Sequence, residues 1–226
     1  MGHRIARFDA IIVAIGSFNP AIVTPEWLHR HYLISQSDLD ECKGKLQAAV
    51  EQGLMSFNCQ WFAFRLLGDQ MVLSTLSGIT PRLRDLAHGI LTLLPETPLT
   101  AIGLNIVSDI QFDTDAEYQK VGDVLNPKEI WRALYPDKSL GMASLTVIVD
   151  DAGTARVTAV GPEAQRRFTI QPSNSIGPSA AHVAYNHHYP VENVARALEI
   201  LDQQFLGDQT EAESNIERLI KMVMES

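Results

Sequence analysis

Two runs rich in apolar and β-branched residues, 4–18 and 99–112, are each long enough for an extended strand, and each is followed by helix-start chemistry and further strand-like runs. A chain patterned this way is α+β, with its longest strand recurring once per half. The spacing predicts two related β-α-β-β-α halves, 1–97 and 98–226, packed as one compact unit. Short turns join most consecutive strands, so the expected sheet is largely antiparallel, with room for a mixed pair where a strand returns through helices. Helices are expected mainly on one face, with a pair of helices closing the C-terminus.

In the second long run, Ile102, Leu104, Ile106, Ile110 and Phe112 share one parity, while Asn105, Asp109 and Gln111 take the other. That is a strand with one core face and one polar face. The first run carries Ile11, Ile12 and Val13 consecutively, which predicts a central strand covered on both faces. Thr24-Pro25-Glu26 reads as a helix start, with a capping hydroxyl, a proline at the first helical position and an acid in the first turn. This helix is expected to run to about Leu33, and a second to begin at Ser37 or Asp38.

Runs 57–67 and 71–76 flank Gly68-Asp69 as a hairpin. Thr80-Pro81 then repeats the cap-plus-proline start, and Leu83, Leu86, Ala87, Ile90 and Leu94 form an apolar helical stripe. In the second half, residues 115–125 read as a helix, and Asn126-Pro127-Lys128-Glu129 starts another, with Glu129 completing a capping box. Runs 144–149 and 154–160 form a hairpin around Asp150-Asp151-Ala152-Gly153, whose two acids are turn residues rather than paired catalytic carboxylates. Strands follow at 167–171 and 182–189. A helix ending at Phe205 is capped by Gly207, and Thr210-Glu211-Ala212-Glu213 opens the last helix, with Ile216, Leu219, Ile220 and Val223 on its apolar seam.

The net charge of −9 argues against a broad grip on nucleic acid, since Arg82/Arg84 and Arg166/Arg167 are only short basic spots. No run spans a bilayer or reads as a signal peptide, and two cysteines, Cys42 and Cys59, fit buried thiols in a reducing cytoplasm. Nothing matches a phosphate loop, a metal-ligand spacing or a nucleophile elbow, so no cofactor or metal is expected.

Two clusters carry polar chemistry. Trp27, His31 and Tyr32 lie close together, with Trp27 and His31 one helical turn apart, and with Trp61 they are candidates for a pocket wall or an interface anchor. His182, His187 and His188 are weaker ligand candidates; on a strand His182 and His188 share a face and His187 takes the other, with Asp109 or Asp113 as neighbouring carboxylates. The leading expectation is a non-enzymatic cytoplasmic interaction or scaffold subunit that self-associates or joins a larger assembly, with Ile216 and Leu219 as further contact candidates. The alternative is a small-molecule-binding protein or enzyme, with a pocket between sheet and helices lined by the Trp and His residues.

Overall fold

The computed structural model describes residues 3–49, 53–149 and 165–226. They form six helices and one open, nine-stranded sheet in which every ladder is antiparallel. The strands are β1 (His3–Gly16), β2 (Gln47–Ala49), β3 (Leu54–Asn58), β4 (Phe62–Leu67), β5 (Gln70–Thr75), β6 (Leu99–Phe112), β7 (Leu145–Val149), β8 (Gln165–Pro172) and β9 (Ala180–Pro190). Their order across the sheet is β2-β3-β4-β5-β1-β6-β9-β8-β7.

The two long runs pair with each other at the centre, from His3↔Phe112 to Gly16↔Leu99, with a register shift between Ile5 and Phe8. The parity expected of β6 holds. Ile102, Leu104, Ile106, Ile110 and Phe112 are buried, while Asn105, Asp109 and Gln111 are only half-buried. On β1 the consecutive Ile11, Ile12 and Val13 do not signal burial on both faces: Ile12 is buried and its neighbours are half-buried. Across the ladders Ile11 lies between the polar Ser74 and Asn105, and Val13 has Val72 on one side but Gly103 on the other, so that face gains only partial cover.

The helices are α1 (Pro25–Arg30), α2 (Gln36–Gly44), α3 (Pro81–Leu93), α4 (Asp115–Leu125), α5 (Glu129–Leu134) and α6 (Val194–Glu225). Thr24 caps α1 by accepting from the Trp27 amide at 3.2 Å. The helix stops before Leu33 because Tyr32 turns left-handed (φ 61°) and the Leu33 amide bonds back to the Leu28 carbonyl. A capping box at Ser35 and Asp38 starts α2 earlier than the sequence suggested. The expected strand 57–67 is two strands, because the Cys59 amide donates to the Phe62 carbonyl and closes a turn between β3 and β4. At α5 the expected capping box is absent; Lys128 occupies the cap with no side-chain bond to the helix. The expected strand 154–160 and the Asp150-Asp151 turn lie outside the described residues, and β7 pairs with β8.

The largest correction is at the C-terminus, where the expected helix pair is one helix, α6, running through Gly207 and Thr210. Phe205, Asp208, Ala212, Ile216 and Ile220 form one continuous buried stripe that carries the helix past the glycine. Thr210 caps nothing: its hydroxyl donates to the Leu206 carbonyl one turn back. A mid-helix glycine costs about 1 kcal/mol relative to alanine, far less than that buried stripe supplies.

A large core cluster joins alternate residues of β1 and β3–β6 to α3 and the first half of α6. A smaller one joins Ile110, Phe112, Ile170 and Val183 to Val121 of α4 and to Ile216, Ile220 and Val223 of α6. No helix among the described residues is long and apolar enough to cross a membrane.

Candidate functional site

Between the outer strands and the second half of α6 lies a cavity of about 310 Å³. Strand periodicity supplies one wall: Leu145, Val147 and Val149 of β7 pair with Ile170, Phe168 and Arg166 of β8, so all six side chains share a face. Helical periodicity supplies the other, since Glu211, Asn215 and Leu219 recur at intervals of four on α6. Leu125 at the end of α4 and Tyr185 of β9 complete the lining.

The lining is mostly apolar, with Arg166, Tyr185, Glu211 and Asn215 as its polar members. Arg166 Nε lies 3.6 Å from Glu211 Oε2, with both side chains partly exposed. Tyr185 is 3% exposed and its ring meets Phe168 edge-on, yet its hydroxyl is buried and makes no hydrogen bond of good geometry among the described residues, the Glu211 carboxylate standing nearby. Burial, followed by the nearby Glu211 carboxylate, pushes the Tyr185 pKa well above the usual phenol range, so the hydroxyl is protonated at neutral pH.

Tyr185, His187 and Tyr189 project from the same face of β9, and behind the cavity the latter two meet Asp208 of α6. The Tyr189 hydroxyl donates to Asp208 Oδ2 at 2.8 Å, and His187 Nδ1 lies 3.0 Å from Asp208 Oδ1 and 2.7 Å from the Tyr189 oxygen. With the tyrosine proton committed to Asp208, the network is satisfied when His187 carries its proton on Nδ1. Burial and Asp208 together raise the Tyr189 pKa.

The sequence candidates fall elsewhere or in other roles. Trp27 packs against His31 with ring centroids 4.7 Å apart and tilted by 55°, Tyr32 is 95% exposed, and neither they nor Trp61 line this cavity. The indole of Trp61 donates to Asp38 at 3.1 Å and lies under the Arg82 guanidinium, 4.1 Å away. Burial opposes ionisation of Asp38, but bonds from Ser35 and Trp61, with Arg82 nearby, outweigh it and hold the carboxyl below its ordinary value. Ile216 is fully buried in the smaller core, whereas Leu219 lines the cavity.

Among the late histidines, His182 lies 3.2 Å from Asp109, its ladder partner on β6, on the face opposite His187. His188 shares that face, where burial, then Arg167 and His187, depress its pKa. The three rings therefore do not converge, and no group of three or more metal-binding side chains occurs among the described residues. Arg166 and Arg167, on successive strand positions, face opposite sides of the sheet, so they form no common basic patch. Cys42 and Cys59 are buried free thiols. The hydrogen bond from Cys42 to Cys59, with burial, pushes the Cys42 pKa up, and the same bond lowers that of Cys59 against the opposing effect of burial.

Sequence reasoning placed a helix start at 126–129 but did not single out Tyr185, Asp208 or the exposed apolar surface of α5. Helix α5 buries none of its residues; Ile130, Trp131 and Leu134 are 76%, 46% and 63% exposed, and Tyr135, which caps it, is 53% exposed. Lys128 just before it is buried and bonded to Asp123 at 2.6 Å, so the base of the helix is anchored while its apolar side chains face outward. No protein-family model matches the chain, and no curated protein matches it significantly.

Proposed function

We propose that the protein acts by binding other protein chains, and that its first partner is a second copy of itself docked through α5. The observation that carries this reading is the apolar surface of α5. Four large side chains within six positions are too concentrated to be scattered surface hydrophobics, and Trp and Tyr are the residue types that concentrate binding energy. The charge pattern favours self-pairing. Glu129 stands in the first turn and Arg132 in the last, so two copies crossing antiparallel about a two-fold axis bring each acid beside the other's base.

The rest of the architecture supports placing the contact there. Strands β5, β4 and β3 step away from β1 as β9, β8 and β7 step away from β6, which favours reading the sheet as two related halves. Helices α3 and α6 meet each other as well as the sheet, in keeping with helices mainly on one face. The opposite face carries Asn105, Asn186, Asp109 and His182 at its centre, hydrogen-bonded to one another or to backbone, and so is better suited to water than to a partner.

Light scattering after size exclusion, over a wide concentration range and at two salt levels, tests the proposal. A dimer that Trp131→Glu converts to a folded monomer is the expected result. A monomer at every concentration, or a dimer indifferent to Trp131→Glu and Leu134→Glu, overturns it.

A further inference from the structure

We infer that the cavity between β7–β9 and α6 is a binding site for a small, uncharged ligand with an apolar body and one hydrogen-bond acceptor, such as a ketone, ester or amide carbonyl. The Tyr185 hydroxyl selects the acceptor. It is 3% exposed, lines a mostly apolar cavity and makes no hydrogen bond of good geometry among the described residues, with the Glu211 carboxylate close enough only to raise its pKa, and leaving such a donor poorly met costs about 1–3 kcal/mol. Its raised pKa keeps the proton available for donation.

The surrounding charges argue for a neutral ligand. Arg166 already faces Glu211 at 3.6 Å, and Asp208 adds a second carboxylate behind them. A ligand carboxylate would meet more negative than positive charge, and an ammonium would meet the Arg166 guanidinium and the Tyr185 donor. Either would also be desolvated against Val147, Phe168 and Leu219 without a partner charge of its own. Size is bounded too: at about 30 Å³ per water-sized group, 310 Å³ admits on the order of ten non-hydrogen atoms. This site does not depend on the α5 interface.

The test uses three probes of one chain length, 2-heptanone, heptanoate and heptylamine, titrated into the full chain and followed by protein-observed NMR. Saturable binding of 2-heptanone, with shifts at Phe168 and Leu219, is expected. Tyr185→Phe should weaken it about fivefold, the worth of one ordinary hydrogen bond, and Leu219→Trp should abolish it by filling the cavity. Both variants are checked for an unchanged fold by their spectra. Tighter binding of heptanoate or heptylamine, equal affinity in Tyr185→Phe, or no saturable binding by 2-heptanone overturns the inference.

Discussion

Truncating Asp208 to alanine probes a buried polar network that joins sheet to helix. Asp208 is 4% exposed and accepts from Tyr189 at 2.8 Å and from His187 at 3.0 Å. Hydrogen bonds to a buried charged group contribute about 1.5–3 kcal/mol each, so losing both would cost about 3–6 kcal/mol if nothing compensated. His187 and Tyr189 already lie 2.7 Å apart, and once released by Asp208 the hydroxyl can donate to the ring nitrogen. That recovery places Asp208→Ala near the lower end, about 3 kcal/mol, which for a chain of this size lowers Tm by roughly 6–12 °C. Tyr189→Phe removes one donor and should cost about 1–2 kcal/mol. The two changes share a bond, so the double variant should be less destabilised than the sum by about 1 kcal/mol. Urea unfolding of the four proteins completes the cycle. An Asp208→Ala cost below about 1 kcal/mol, or strict additivity, would show that the network adds little to stability.

Gly207→Ala should stabilise the protein by about 0.5–1 kcal/mol, because Gly207 lies inside α6 and a Cβ there meets nothing within 4 Å; destabilisation in urea melts would instead indicate a left-handed cap at that position. His188 predicts an acid-side loss of stability. Burial, Arg167 and His187 hold its folded pKa below the unfolded value near 6.5, so its contribution is complete above that value and is lost as pH falls through the folded pKa. Tm measured from pH 7.5 to 5 should therefore fall less steeply in His188→Gln than in the parent, and equal slopes would remove His188 as a cause.

Where local chemistry decided the outcome, the sequence was legible. The parity of β6, the cap-plus-proline starts of α1 and α3, and the span of α4 each depend on residues within one or two turns, and all appear in the structure. The misreadings arose where distant packing overrode a local signal. Gly207 and Thr210 carry true end-and-start chemistry, yet the stripe from Phe205 to Ile220 is buried against the sheet and keeps the helix continuous. Ile11 and Val13 look like buried strand residues, but Ile11 pairs with Ser74 and Asn105, and Val13 has Val72 beside it on β5 and only Gly103 on β6, which leaves them half-covered.

The same misreading hid the site. With the helix broken at Gly207, Asp208 becomes a loop acid with no reason to face β9, and Glu211 becomes half of a capping box rather than the neighbour of Arg166. Restoring the continuous helix places Asp208, Glu211, Asn215 and Leu219 at successive turns along one side of α6, and strand alternation places Tyr185, His187 and Tyr189 opposite them. Both periodicities were present in the sequence. What one chain without its fold could not supply was the docking of α6 across β9 and β8, which turns a histidine-rich strand with no metal spacing into the wall of a largely apolar cavity where the Tyr185 hydroxyl makes no hydrogen bond of good geometry among the described residues. The aromatic anchors singled out near the N-terminus are held by their own neighbours, Trp27 by His31 and Trp61 by Asp38 and Arg82, so aromatic density alone did not mark the place where binding groups remain open.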